Sequence, residues 1–191
     1  MSTVRRDWLV VGGLLALDQV TKLLVKGFRV GPFVHEGMRL GESLPVLGDW
    51  VRITFVENPG IAFGLPVGEA KVLLTLFSLT VSIGLGWYLR RLQYLGIPFR
   101  ARLSVVLLLA GATGNFIDRA FYGVLYGEAP LLQGSVVDFI DVEFPDFELF
   151  GRLYTRWPVF NVADSCLTIG VLLALLFHRH LPTLRQALRK V

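Results

Sequence analysis

The sequence predicts an α-helical integral membrane protein: four transmembrane helices, a small extracytoplasmic β element, and an interfacial outer helix or loop. Three observations carry this. Hydrophobic residues make up 53% of the 191 positions and charged residues 18%, with a mean hydropathy of +0.59, too apolar for a soluble domain of this length. Four apolar runs stand at about 8–25, 72–89, 103–120 and 159–177. Basic residues gather beside them in short hydrophilic segments, as the positive-inside rule expects of cytoplasmic loops. The length is that of one domain, 1–191, with no linker between two cores.

The first run, Trp8 to Val25, follows Arg5 and Arg6. It is too long for a cleaved leader and has no small-residue cleavage site after it, so it reads as a retained span. At 1.5 Å per residue it covers roughly 27 Å, enough to cross if its polar end reaches the interface. Asp18, Gln19, Thr21 and Lys22 lie in that end. Asp18 and Lys22 are one turn apart and suit an interfacial ion pair that anchors the helix end, with a direct catalytic role as the other reading. The outer segment 27–68 is punctuated by Pro32, Pro45, Pro59 and Pro66. Within it Val51 to Glu57 alternates apolar and polar residues, the pattern of a half-buried strand. The following Glu57–Gly64 stretch is either a tight return turn or a loop lining a groove; its small residues suit close backbone approach.

Val72 to Leu89 is uncharged and ends at Arg90-Arg91; with Arg100 and Arg102 this makes a short basic loop. A third span runs outward from Leu103, and the fourth, Val159 to Phe177, ends in His178-Arg179-His180. Ten of nineteen basic residues then lie inside with one of fifteen acidic residues, Asp7, so both termini are expected in the cytoplasm. The outer segment 121–158 mixes Asp141, Glu143, Asp146 and Glu148 with Phe139, Phe144, Phe147 and Phe150. It reads as an amphipathic interfacial segment with its rings toward the headgroups, or as a lid. Trp50 and Trp157 fit an outer aromatic belt, and Trp8 and Trp87 an inner one. This charge distribution speaks for a membrane and against nucleic acid as the partner of a chain with net charge +4. The single Cys166 forms no internal disulfide.

That topology gathers Asn115, Asp118, Asp138, Asn161 and Asp164 at the outer leaflet. Carboxylates at membrane depth are costly and mark functional sites. Asn115 and Asp118, like Asn161 and Asp164, are spaced to share a helix face. Asp138 and Asp164 each lie in apolar sequence, which favours two acids sharing one proton and activating water. Asp118 sits between Asn115 and Arg119 and suits an ion pair or a packing role. No Gly-x-Ser-x-Gly elbow and no His-Glu-x-x-His helix occurs. Other classes use the same acids differently. A magnesium-dependent lipid phosphotransferase wants several acids along a helix plus phosphate-binding bases, and only Arg119 is near. A proton-coupled transporter wants acids or broken helices near the midplane.

Five motifs, in order, resemble the lipoprotein signal peptidases (signal peptidase II) of bacteria. They are Asp18-Gln19-x-x-Lys22, Asn58-x-Gly60-x-Ala62-Phe63, Gly114-Asn115-x-x-Asp118-Arg119, Val136-Val137-Asp138-Phe139 and Phe160-Asn161-x-Ala163-Asp164-Ser165. The resemblance implies four transmembrane helices, an outer β cradle and a periplasmic-side helix. It implies an aspartic endopeptidase of the bacterial inner membrane, active toward the outer leaflet. Its substrate would be a diacylglyceryl-modified prolipoprotein, cut just before the lipidated Cys. Catalysis would fall to Asp138 and Asp164. Asn115, Asp118, Arg119 and Asn161 would support them or bind substrate, Asn58 and Gly60 would line the groove, and Asp18 and Lys22 would be structural. No metal, no cofactor and a monomer are expected, with membrane lipid as the other partner. One departure is the 121–135 segment, longer than the family pattern.

Overall fold

The computed structural model describes residues 3–60, 67–149 and 152–188. The chain is mainly helical. Helices α1 (Thr3–Lys26), α2 (Val67–Tyr94) and α3 (Phe99–Ile117) carry the first three predicted spans. All three are long and apolar enough to cross a membrane, with α3 continuing through further turns to Leu125. Each overruns its apolar run at one end or both. The charged residues that bounded the runs, such as Arg90 and Arg91, still sit on helix, because a basic residue ends the hydrocarbon-facing part of a helix but not its hydrogen bonding.

The fourth span differs from expectation. Helix α5 covers Val162–Leu176, 15 residues, or about 22 Å, instead of 159–177. It starts late because Phe160 is engaged in β pairing with Ile140 and because Asn161 caps the helix. The Asn161 side chain accepts from the Asp164 N–H, and the Asp164 side chain accepts from the Asn161 N–H, a reciprocal box that satisfies two orphan donors. A short helix α6 (Leu184–Leu188) follows.

The outer segments form more β structure than the sequence suggested. Strands β1 (Phe28–Val30) and β2 (Phe33–His35) make a separate hairpin. Strands β3 (Ser43–Leu47), β4 (Val51–Asn58), β5 (Val136–Leu149) and β6 (Arg152–Arg156) make a four-stranded antiparallel sheet in sequence order. The alternation in Val51–Glu57 therefore does mark a strand. The 121–158 segment differs from an interfacial helix: its second half forms the strands Val136–Leu149 and Arg152–Arg156. Phe139 is buried in the core and does not reach headgroups, whereas Phe144 packs on Trp157 with ring centroids 5.7 Å apart. The side chains of Phe147 and Phe150, and residues 61–66 with the later part of the Glu57–Gly64 stretch, lie outside the described residues. The long 121–135 stretch continues α3: a wide turn (Asp118–Tyr122), helix α4 (Gly123–Leu125), then a loop.

Helix α3 is central and packs on α1, α2 and α5. Small residues set these distances. A Cβ at Gly111 would stand 2.4 Å from the Ala163 carbonyl, and one at Gly114 2.5 Å from an Asp18 carboxylate oxygen. Two apolar clusters fill the bundle. Leu89, Leu92, Val106 and Leu109 pack at one end; Val25, Phe55, Tyr122, Val137 and Phe139 pack at the other, where helices meet sheet. At the first end, Asp7 is fully buried and receives bonds from Arg102 at 2.7 and 3.1 Å and from Gln93 at 2.9 Å.

Candidate active site

The site lies where β5, the outer end of α3 and the start of α5 converge, and each position has a local cause. The β4–β5 ladder sets Asp138 opposite Val56, after a bulge between Ile53 and Val56. Asp164 is fixed by the capping box of α5. Asn115 sits on the last turn of α3, behind Gly114.

Hydrogen bonds join the two acids through asparagines. Asn161 Nδ2 donates to Asp138 Oδ1 at 2.7 Å, while its Oδ1 accepts from the Asp164 N–H at 2.8 Å. Asn115 Nδ2 donates to Asp164 Oδ1 at 2.8 Å, and its Oδ1 accepts from Asn161 Nδ2 at 3.1 Å. Asn58 Nδ2 donates to Asp138 Oδ2 at 3.1 Å and Asn58 Oδ1 accepts from the Gly60 N–H at 2.9 Å. Each carboxylate thus spends both oxygens on fixed donors. Burial, and then the neighbouring Asp164 charge, push the Asp138 carboxyl up to about 6, against the opposing bonds from Asn58 and Asn161. A cavity of about 480 Å³ opens on both acids, lined also by Asn58, Trp157, Phe160 and Ile169.

Behind the asparagines is a buried ionic layer. Lys22 Nζ lies 2.9 Å from Asp18 Oδ2 and 2.9 Å from Asp118 Oδ2, and donates to Asn115 Oδ1 at 3.2 Å. All three charged residues are at most 1% exposed, so the Asp18–Lys22 pair forms as expected but is no interfacial anchor. Its second acid explains the burial. Asp18 Oδ1 accepts the Ala163 N–H at 2.9 Å, and Asp118 Oδ2 accepts the Val137 N–H at 3.1 Å. The layer therefore grips the first turn of α5 and the strand residue before Asp138, the two backbones that carry the acids.

Asp118 does make an ion pair, but with Lys22 and not with its neighbour Arg119. Consecutive helical residues point about 100° apart. Asn115 likewise turns to Asp164 and Asn161, not to Asp118. Arg119 Nη1 reaches the Asn115 carbonyl at 3.4 Å, and its buried Nε has no hydrogen-bond partner among the described residues. A Cβ built at Gly60 would stand 3.7 Å from that Nε.

Sequence reasoning named Gln19 in the first motif but gave it no role; it donates to Asp18 at 3.1 Å and Asp118 at 3.0 Å and accepts from Tyr122 Oη at 3.2 Å. A Gln adjoining an acid in an apolar run was the available signal. It also treated Asp141 as surface; Asp141 is buried, accepting from Arg156 and from Thr54, each at 2.6 Å.

Comparisons with known proteins identify the family. Residues 10–179 match the family model described as signal peptidase (SPase) II. The chain belongs to the signal peptidase II family. A lipoprotein signal peptidase of Chlorobaculum tepidum is 36% identical over 171 residues, covering 90% of this chain and 92% of that one. One of Moorella thermoacetica is 35% identical, over 84% and 83%. Among solved structures, a bacterial membrane enzyme determined by the in meso method at 1.9 Å superposes with a TM-score of 0.66 at 31% identity, covering 91% of this chain and 92% of that one. Membership of the signal peptidase II family makes the chain a membrane-bound protease.

Proposed function

We propose that this signal peptidase II is an aspartic endopeptidase of the bacterial inner membrane. It removes the signal peptide from diacylglyceryl-modified prolipoproteins, cutting on the N-terminal side of the lipidated Cys. One domain, 1–191, does this with four spans, α1, α2, α3 and the shorter α5, with both termini cytoplasmic and the dyad toward the outer leaflet. The observation that carries the reading is the Asn161 bridge, which donates to Asp138 and accepts from the Asp164 backbone over one cavity.

Asp138 holds the shared proton and Asp164 is the base. Water lies between them; its oxygen attacks the scissile carbonyl carbon while Asp164 takes a water proton and Asp138 protonates the carbonyl oxygen. When the tetrahedral diol collapses, the C–N bond breaks. A hydroxyl proton of the diol returns to Asp138, and Asp164 passes its proton to the leaving amine. Substrate entering the cavity displaces water and raises the Asp138 carboxyl further, which keeps the proton in place. Arg119, whose Nε near Gly60 has no hydrogen-bond partner among the described residues, binds a substrate carbonyl. Asn58 and Gly60 line the groove. Asn115 and Asn161 orient the acids, and Asp18, Lys22 and Asp118 act through the backbones they grip.

The cavity reaches Ile169, whose exposed side chain begins a stripe with Leu172 and Leu176 on α5. Acyl chains of the substrate follow that stripe and stay in hydrocarbon while the peptide bond meets the acids. Each buried CH₂ adds about 0.8 kcal/mol, so lipid supplies much of the recognition. The test is cleavage of one precursor with and without its diacylglyceryl group, each with and without a chelator. Cutting of the lipidated form alone, unchanged by chelator, is expected. Equal cutting of both forms defeats the lipid assignment, and loss with chelator defeats the metal-free mechanism.

A further inference from the structure

The hairpin β1–β2 stands apart from the four-stranded sheet. It pairs Phe28 with His35, Arg29 with Val34 and Val30 with Phe33. A lone two-stranded hairpin is marginal in water, and this one is apolar at its tip: Val30 is 66% exposed, Phe33 72% and Val34 49%.

Its mounting is rigid. Gly27 ends α1 at φ 89°, and Gly37 has φ 69°. A Cβ at Gly27 would come within 2.6 Å of the Glu36 carbonyl, and one at Gly37 within 2.3 Å of the Gly27 nitrogen. The Met38 N–H donates to the Val25 carbonyl at 2.7 Å, and His35 Nε2 bonds the Leu24 carbonyl at 2.8 Å. The tip therefore holds a set place relative to α1. On that helix Leu17, Val20 and Leu24 form one exposed stripe, and Leu24 is the residue bonded to the hairpin root. The apolar tip thus prolongs the lipid-facing side of a span.

Between hairpin and helix is a cavity of about 320 Å³, walled by Leu23, Phe28, Leu125 and Tyr126. Lys26, Arg29 and the exposed Glu36 line it, and the two cations differ. Lys26 is committed to Glu57 and Glu128 and lies 4.4 Å from the Tyr126 ring centre. Arg29 is exposed, with no ion pair among the described residues.

We propose that hairpin 28–35 is an interfacial lipid anchor: Val30, Phe33 and Val34 enter the acyl boundary and Arg29 pairs with the phosphate of a bilayer phospholipid seated in this cavity. The physics is that of interfacial anchoring. Apolar side chains gain by leaving water, and a guanidinium at headgroup level matches phosphate geometry. Continuity of the apolar tip with the exposed stripe of α1, together with the fit of a guanidinium to phosphate, favours lipid over a second copy of the chain. The inference requires only that the helices span a membrane, so it stands or falls separately from the cleavage reaction.

The test uses the full chain in phospholipid nanodiscs with a spin label at Phe33→Cys, a control label at Asp49→Cys in the exposed β3–β4 turn, and the unsubstituted chain as a blank for buried Cys166. Relaxation by oxygen, which concentrates in acyl chains, and by a water-soluble nickel chelate reports depth. The expected result is an oxygen-rich, nickel-poor label at 33 and the reverse at 49. In the Arg29→Glu background, nickel access at 33 rises at least about twofold, and in Arg29→Lys much less. A nickel-accessible label at 33 overturns the anchor, and dipolar broadening between labels of two chains assigns the face to a second copy. An unchanged depth in Arg29→Glu overturns the phosphate pairing.

Discussion

At the scale of single residues, the site turns on how burial treats charge. Asp138, with its carboxyl pushed up to about 6, gives a pH signature. A dyad that needs one proton loses it as pH rises through that value, so kcat/KM falls above about pH 6, and kcat falls at higher pH because bound substrate raises the group further. Asn58 favours the ionised form, so Asn58→Ala moves the kcat/KM limb to higher pH; a shift to lower pH contradicts this electrostatic account. Lys22 predicts differently. Removing it leaves Asp18 and Asp118 buried and uncompensated, so Lys22→Met costs about 3–5 kcal/mol, measurable as a large fall in Tm in detergent. Much of this was legible: acids in apolar runs are conspicuous because hydrocarbon penalises them. Their partners were not, since Asp18 meets Asp118 and Ala163 only after three helices and a strand are assembled. A pair formed one turn apart on α1 was visible, and its second acid, 96 residues later, was not.

At the scale of elements, hydropathy identified α1, α2 and α3 because a span must satisfy every backbone group internally and therefore reads as a long apolar run. The strands were harder. Val51–Glu57 alternates clearly, but β5 carries Asp138 and Asp141 buried on opposite faces, each held by specific donors, and this breaks the apolar–polar period on which recognition depends. The start of α5 was misread because a capping box needs only Asn161 and Asp164, which apolar Phe160 and Val159 disguised as the interior of a span. Close helix contact yields a paired prediction. Gly114→Ala places a methyl group against the Asp18 carboxylate and costs about 1–3 kcal/mol, whereas Gly84→Ala, with nothing within 4 Å of the new carbon, leaves stability unchanged or raises it by up to about 1 kcal/mol. Equal thermal midpoints for the two variants contradict the packing described for α3.

At the scale of the whole molecule, helices and sheet divide the work. The bundle presents acids from its ends, the sheet brings Asp138 down onto them, and a buried layer of Lys22, Asp18 and Asp118 ties the two bodies together by backbone hydrogen bonds. The exposed apolar faces of α1, α2 and α5 give the molecule its lipid boundary. Charge distribution along the sequence predicts its orientation, which impermeant thiol labelling of single cysteines in spheroplasts checks: position 49 labels from outside and position 179 only after lysis. The central claim is that Asp138 and Asp164 together activate water. The most direct measurement is the rate of cleavage of a purified lipidated precursor by Asp138→Asn and by Asp164→Asn, each shown folded by an unchanged thermal transition. The account predicts that either substitution lowers the rate at least about a thousandfold. Cleavage within about tenfold of the unsubstituted chain by either folded variant contradicts it.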